Sequence, residues 1–251
     1  MPYKKGKFIV IEGVDGSGKS IQSELLRKEL SHKGYRVRTR DIKANQISFL
    51  EESIIERGFK VEVEDFPRYK YSAWGKLIGK MLLGEFGNLF TISPYLSVLP
   101  YMIDEYWGGL KIKKWIEMGK YVISNRYFTS NVHQIAKMKG GEQKRYREWL
   151  WKTGWQEMKI FKPDLVLVLF VDPKICYQNI LKKQKRDYAG KDNIDQAEAN
   201  FEHQKRAYRE YKRTISENRD WWVGINCSKK GKMLAPEVIA KNIFDIVQKI
   251  G

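Results

Sequence analysis

A phosphate-binding loop constrains the fold of this 251-residue chain more than any other stretch of its sequence. The four apolar residues 8–11 predict a buried parallel strand. This strand leads directly into the pattern Gly-x-x-x-x-Gly-Lys-Ser at residues 13–20. In such a loop the glycines let backbone N–H groups surround a phosphate, and the next helix points its positive end at the same anion. The sequence therefore predicts a site for a nucleoside triphosphate.

The loop also assigns roles to individual side chains. Lys19 is expected to reach the β- and γ-phosphates, and the Ser20 hydroxyl is placed to ligate Mg²⁺. The predicted ATP-binding residues are Gly13, Gly16, Ser17, Gly18, Lys19, Ser20 and Ile21.

Apolar segments alternate with helical segments along the rest of the chain. Residues 121–124, 163–173 and 221–226 are expected to be strands, and 94–107 and 110–118 two separate helices, the first kinked at Pro100. The alternation predicts a three-layer α/β/α sandwich, with a central parallel sheet of about five strands and helices on both faces. Ligands of such sheets bind at the carboxyl ends of the strands, which is where Asp15, Phe66, Arg126 and Asp172 fall.

One stretch of sequence occurs twice in similar form. Residues 34–41 are echoed by residues 58–65, and each copy follows a helical segment. Because the second copy leads into the next motif, we expect it to supply the core strand and residues 35–57 to form an inserted helix–strand unit. Coincidence between two ordinary helix–glycine–strand units is the alternative.

The composition limits the class of protein. A net charge of +17 could indicate nucleic-acid binding, but the basic residues are spread along the chain, which favours an enzyme for polyanionic nucleotides. No apolar run approaches the roughly 18 residues of a membrane span, and the basic N-terminus runs straight into the first strand. Cys176 and Cys227 are far apart, as expected of thiols in a reducing compartment. We therefore expect a cytoplasmic protein without membrane association.

Together these motifs resemble the thymidylate kinase family, which belongs to the P-loop nucleoside monophosphate kinases. The resemblance rests on residues 12–20, 66–69, 125–131 and 162–167 and on a helix containing Asp195 and Glu198. It implies a single P-loop nucleoside monophosphate kinase domain over residues 1–251, with a helical lid at about 182–194. It further implies transfer of the ATP γ-phosphoryl group to dTMP with Mg²⁺, a role in dTTP biosynthesis, and usually a homodimer.

The resemblance also implies roles for the acceptor site. Arg126 would bind the acceptor phosphate with its planar fork, although a structural salt bridge is the alternative. Asp15 would lie near the sugar 3′-hydroxyl, and Phe66 and Tyr101 would enclose the base, for which core packing is an equal alternative. The predicted acceptor-binding residues are Asp15, Phe66, Arg68, Tyr69, Tyr101, Glu105, Arg126, Ser130, Asn131 and Gln134.

The lid is expected to supply a catalytic cation, because Gly16 stands where the family can carry an arginine in the loop. Arg186 is the first choice, and the lysines beside it also fit a solvated helix face. The predicted lid residues are Lys183, Lys185, Arg186, Lys191, Asp195 and Glu198, and the predicted catalytic residues are Lys19, Arg126 and Arg186.

The sequence departs from the family pattern at two positions. Asn125 replaces an aspartate that helps to hold Mg²⁺ water, so its contribution to a metal site with Ser20 is expected to be weak. Glu105 replaces an arginine that donates to a thymine carbonyl, and an ionised carboxylate only accepts. Either Glu105 selects a base with an amino group, or another donor such as Gln134 or a lysine takes its place. The alternatives to dTMP kinase are therefore a kinase for another monophosphate, such as dCMP or dUMP, and a catalytically weak nucleotide-binding protein.

Overall fold

A computed structural model describes residues 6–33, 60–182 and 196–250 of the chain. Five parallel strands form one sheet in the order β2-β3-β1-β4-β5. The strands are β1 (Lys7–Glu12), β2 (Val61–Val63), β3 (Tyr121–Asn125), β4 (Leu165–Phe170) and β5 (Trp222–Asn226). Ile9 of β1 is in register with Ile123 on one side and Leu165 on the other, and all three are buried. The central strands therefore lie within the core, as their continuous apolar sequences predict.

Helices cover both faces of the sheet, which confirms the predicted three-layer α/β/α architecture. The described α-helices are α1 (Lys19–His32), α2 (Ala73–Leu82), α3 (Pro94–Ser97), α4 (Leu99–Glu117), α5 (Val132–Ile135), α6 (Gly140–Lys152), α7 (Pro173–Lys182), α8 (Gln196–Ala199), α9 (Phe201–Glu217) and α10 (Pro236–Val247). A 3₁₀ turn, Phe128–Asn131, precedes α5, and a π-helical turn, Thr153–Glu157, follows α6.

Two helices do cover residues 94–117, but the predicted position of the break between them, at residues 108 and 109, is wrong. The chain breaks at Val98, Pro100 lies in the first turn of α4, and α4 then continues through residues 108 and 109. A proline is tolerated in the first turn because the N–H that it lacks has no intrahelical partner there. The two glycines keep the helix close to its neighbours rather than ending it.

A short antiparallel hairpin that the sequence did not predict follows β5. It pairs β6 (Ser228–Lys229) with β7 (Lys232–Met233), and Asn179 of α7 donates to the Met233 sulfur. The predicted inserted unit at 35–57 and nearly all of the predicted lid at 182–194 lie outside the described residues. None of the described helices is both long and apolar enough to span a bilayer.

The topology places the site. β1 connects towards β2 on one side of the sheet, whereas β3 connects across β1 to β4 on the other. The order of the strands therefore switches between β1 and β3, and the carboxyl ends at such a switch form a crevice. The phosphate loop follows β1, and Arg126 follows β3.

Candidate active site

The loop between β1 and α1 has the backbone of an anion-binding loop. Gly13, Gly16 and Gly18 all have positive φ, at 141°, 79° and 89°. A Cβ on Gly16 would lie 2.1 Å from the Cys176 carbonyl oxygen, so no other residue type fits there. The Ser17 hydroxyl is buried and makes no hydrogen bond to any described residue. A polar group of this kind at the start of a helix suits a bound phosphate.

Lys19 is folded over this loop. Its Nζ donates to the carbonyl oxygens of Gly13 at 3.1 Å and Val14 at 2.9 Å, and lies 3.9 Å from Asp15 Oδ1. Burial, reinforced by the positive charge of Arg126, lowers the pKa of Lys19 to about 7. The amine is therefore fixed at the loop and loses its proton more readily than an exposed lysine.

Arg126 links the end of β3 to the loop after β1. Its backbone is left-handed, with φ of 67°, and its N–H donates to the Ile11 carbonyl at 3.1 Å. One guanidinium nitrogen donates to Asp15 Oδ1, and the other donates to Ser130 Oγ at 3.3 Å. Burial opposes the charge of Arg126, but Asp15, together with smaller contributions from Tyr211, Glu12 and Tyr69, outweighs burial and raises the pKa of Arg126. A strained backbone that aims a permanent cation into a crevice is typical of a functional position.

A cleft that is open to solvent is lined in part by Arg126. Nine of the ten predicted acceptor-binding residues line it: Asp15, Phe66, Tyr69, Tyr101, Glu105, Arg126, Ser130, Asn131 and Gln134. The aromatic and polar lining suits a small planar molecule that carries an anionic group. The lining also includes His133, Lys137 and His203, which had no motif to mark them.

Arg68, the tenth predicted residue, does not line the cleft. Its backbone N–H donates to Asp104 Oδ2 at 3.0 Å, Nε donates to Oδ1 at 3.0 Å, and Nη2 donates to the Asp104 carbonyl at 2.9 Å. Its phosphate-binding role stays a prediction. In this structure Arg68 fixes the loop after β2 to α4.

Glu12, at the end of β1, supports the site from beneath. Its buried carboxylate accepts from the hydroxyls of Thr129 at 2.6 Å, Ser130 at 2.7 Å and Tyr211 at 2.8 Å. Gln204 of α9 exchanges two hydrogen bonds of 3.2 Å with Asp15. Sequence reasoning missed these roles, because each depends on partners more than 110 residues away.

Ser20 and Asn125 meet beside the loop. Asn125 Nδ2 donates to Ser20 Oγ at 3.2 Å, while the buried Asn125 Oδ1 accepts from no described residue. The Asn125 backbone N–H donates to Asp65 Oδ1 at 3.2 Å. The residue that lacks the expected carboxylate therefore has one beside it, supplied by the end of β2.

The predicted lid residues are mostly outside the described part of the chain. Lys183, Lys185, Arg186, Lys191 and Asp195 all lie there. Glu198 is buried in α8, next to Ala197, which lines the cleft. Ile21 is exposed in the first turn of α1, one residue beyond Ser20.

The chain is similar to known proteins over most of its length. It is 27% identical over 227 residues to the thymidylate kinase of Plasmodium falciparum, covering 90% of this chain and 85% of that protein. It is 33% identical over 181 residues to a Thermococcus gammatolerans protein named probable thymidylate kinase, covering 70% of each. The chain belongs to the thymidylate kinase family. It is therefore a phosphotransferase of the kinase class.

The fold agrees with this family. The structure of thymidylate kinase from Candida albicans, described as having broad substrate specificity, superposes with a TM-score of 0.66 at 19% identity. The match covers 98% of this chain and 92% of that one, so the likeness extends over the whole thymidylate kinase fold. No protein-family model matches the chain.

Proposed function

We propose that this chain transfers the γ-phosphoryl group of ATP to dTMP, giving dTDP and ADP. The observation that carries the proposal is Asp15, which lies 3.9 Å from Lys19 Nζ and accepts a hydrogen bond from Arg126. It thus joins the phosphate loop to the aromatic cleft. Phosphoryl transfer needs a donor phosphate and an acceptor phosphate in one charge-compensated crevice, and this arrangement supports both.

The side chains divide the work between two phosphates. Lys19 and the N–H groups at the start of α1 would hold the donor chain. Arg126 would neutralise the acceptor phosphate, and Phe66 and Tyr101 would enclose the base. Arg186 stays the predicted lid cation. Asp15 would be freed from Arg126 as the acceptor phosphate takes its place.

Mg²⁺ is proposed as the metal cofactor, and the residues fit it. Ser20 offers a hydroxyl, and Asn125 offers a side-chain oxygen that accepts from no described donor. Asp65 adds a carboxylate, which accepts a hydrogen bond from the backbone N–H of Asn125. Mg²⁺ prefers a few oxygen ligands from the protein, with water molecules and substrate phosphates completing its coordination. When bound, the ion neutralises charge on the donor phosphates.

A second acceptor class is favoured by Glu105, which lines the cleft in place of the family arginine. An ionised carboxylate there would prefer a base with an amino group, as in dCMP. The Asn125 departure favours a third reading, a nucleotide-binding protein with weak catalysis.

The test is an ADP-release assay with ATP and Mg²⁺ against dTMP, dUMP, dCMP, dAMP and dGMP. Lys19→Ala is the blank, because it removes the cation at the donor phosphates. Turnover that is highest with dTMP supports the proposal, and turnover that is highest with dCMP moves the substrate to that acceptor. Silence with all five acceptors would overturn the kinase proposal.

We also propose a homodimer, formed by one face of α3 and α4. Four apolar side chains three or more residues apart are exposed there: Leu96 at 64%, Leu99 at 42%, Trp107 at 56% and Leu110 at 44%. A helical stripe of this kind suits a second copy of the same stripe.

A further inference from the structure

Glu105 is a buried carboxyl group within the cleft. Its side chain lies on α4 one helical turn beyond Tyr101, and only 3% of the residue is exposed. Both residues line the cleft. Asn131 Nδ2 donates to Glu105 at 3.0 Å from Oε2 and 3.3 Å from Oε1. Asn131 therefore contacts both carboxyl oxygens of Glu105 and lies closer to Oε2.

The surroundings of Glu105 disfavour a negative charge. Asp104 precedes it on α4, Glu12 lies nearby on β1, and the Tyr127 hydroxyl donates to the Glu105 backbone carbonyl at 3.3 Å. The other charged and titratable groups that line the cleft are Asp15, Arg126, His133, Lys137, His203 and three tyrosines, Tyr69, Tyr101 and Tyr127.

No cation compensates Glu105 among the described ion pairs, since Arg68 pairs with Asp104 and Arg126 with Asp15. Burial raises the pKa of Glu105 well above its usual value, against the opposing hydrogen bond from Asn131 and with smaller contributions from Asp104 and Glu12. A buried carboxyl group without a cation takes up a proton rather than keep its charge.

Protonation changes what this position can recognise. A carboxylate only accepts hydrogen bonds, but a neutral carboxylic acid has one O–H donor and one carbonyl acceptor. The lactam edge of thymine or uracil presents a carbonyl acceptor beside an N–H donor. The two patterns are complementary, and a carboxylate would instead face the base carbonyl with a second acceptor.

We propose that Glu105 reads the acceptor base as a neutral carboxylic acid, with its O–H donating to a base carbonyl and its other oxygen, held by Asn131, accepting the adjacent ring N–H. This inference rests on the proposed monophosphate kinase function and assigns its substrate to pyrimidines with a lactam edge. The replacement of arginine by glutamate then keeps a donor where the base carbonyl lies, without a charge.

Infrared difference spectroscopy tests the protonation state directly. The spectrum of wild type minus Glu105→Gln, recorded at pH 7, isolates the Glu105 carboxyl group from all others. We expect the carbonyl stretch of a protonated acid, and we expect dTMP to shift that band while ATP leaves it in place. A carboxylate band instead, or a protonated band that dTMP leaves unmoved, would overturn the inference.

Calorimetric titration of dTMP and dCMP into wild type, Glu105→Gln and Glu105→Ala supplies the second readout. Loss of two hydrogen bonds in Glu105→Ala should weaken dTMP binding about tenfold or more. Glu105→Gln keeps one donor and one acceptor at every pH, so its dTMP affinity should exceed that of the alanine variant. Equal losses in the two variants, or stronger dCMP than dTMP binding in wild type, would overturn the inference.

The two proposals fail separately. If dTMP is phosphorylated but the Glu105 band does not respond to it, the kinase function stands and the role of Glu105 is wrong. If no monophosphate is phosphorylated in the acceptor panel, the kinase function is wrong whatever the state of Glu105. Thermal melting of each variant shows that it is folded, and Glu105→Gln, equal in size, supports the comparison if Glu105→Ala does not fold.

Discussion

At the scale of single residues, the site is built from charges that hold each other in place. Asp15 holds Arg126, Glu12 collects three hydroxyl donors, and Asp104 fixes Arg68. The carboxylate of Asp65 belongs to this set through its contact with the backbone of Asn125. Each of these contacts gives a partly buried charged group a hydrogen-bond partner. Removing one partner would leave the other buried without a hydrogen bond, which destabilises the folded state.

Asp65 gives a prediction about the metal. Asp65→Asn should weaken Mn²⁺ binding to the ADP complex several-fold, because it removes the carboxylate beside Asn125 and leaves the side-chain size unchanged. Electron paramagnetic resonance of free Mn²⁺ measures this affinity without turnover. Asn125→Asp should strengthen the same binding.

The matched control is Asp220→Asn, which makes the same charge change in the exposed turn before β5. If both aspartate variants weaken Mn²⁺ binding equally, the effect comes from net charge and the role of Asp65 is wrong.

At the scale of elements, α4 is shaped by the residues it packs against. A Cβ on Gly108 would lie 2.3 Å from the Phe66 ring, and one on Gly109 would lie 2.4 Å from the Tyr127 hydroxyl. Glycine in a helix interior costs about 1 kcal/mol relative to alanine. The two glycines together therefore destabilise the helix, but they allow its backbone to pack directly against Phe66 and Tyr127 in the wall of the cleft.

Gly108→Ala should therefore destabilise the fold, although alanine is the better helix former. Overpacking against Phe66 costs about 1–3 kcal/mol, and displacing that ring should also raise the acceptor KM. Thermal melting and acceptor kinetics measure the two effects.

Gly141→Ala in α6 is the control, because a Cβ there meets nothing within 4 Å. It should leave the melting temperature unchanged or raise it. A Gly108→Ala protein as stable as wild type with an unchanged KM would contradict the packing argument.

The same helix shows how far the sequence could predict the structure. The apolar run of β1 and the loop after it were predicted because both signals are local. The continuity of α4 was not, because Gly108 and Gly109 resemble a helix end until Phe66 and Tyr127 are in place. The two-residue strands β6 and β7 are too short for any periodicity. The contact between Arg68 and Asp104 was not predicted either, because the two residues are 36 apart in sequence.

At the scale of the whole molecule, the exposed stripe on α3 and α4 predicts the state of assembly. Trp107→Lys should convert a dimer into a monomer, since it places a charge in the middle of the apolar face. Sedimentation velocity measures the change. Phe86→Lys is the control, because Phe86 is 54% exposed and precedes α3 in the sequence, off the stripe. A monomeric wild type, or a Trp107→Lys dimer, would contradict the proposed interface.

Acid should destabilise the folded chain through its buried histidines. Burial, with Lys137 and Arg206 nearby, lowers the pKa of His203 to about 3, and burial also lowers the pKa of His133. Between about pH 6.5 and 3 the unfolded state binds the His203 proton and the folded state does not. His203 alone therefore lowers the free energy of unfolding by about 1.4 kcal/mol for each pH unit of acidification in that window, and its contribution is complete below about pH 3. His133 adds to the decline in the same direction.

His203→Gln should flatten this decline relative to wild type in urea unfolding measured from pH 7 to pH 4. His32→Gln, at the exposed end of α1, should leave the pH dependence unchanged. Parallel stability curves for wild type and His203→Gln would show that His203 does not carry the effect.

The position of Lys19 predicts that nucleotide binding takes up a proton. With a pKa of about 7, its amine is largely neutral at pH 8, and a bound polyphosphate requires the ammonium form. Binding at pH 8 should therefore draw close to one proton from the buffer, and binding at pH 6 almost none. The heat of ADP binding at pH 8 should then vary with the ionisation enthalpy of the buffer, and above pH 7 the affinity should fall by up to about tenfold per pH unit. The affinity of the phosphate loop for nucleotides would thus decrease in alkaline surroundings, because Lys19 loses its proton there.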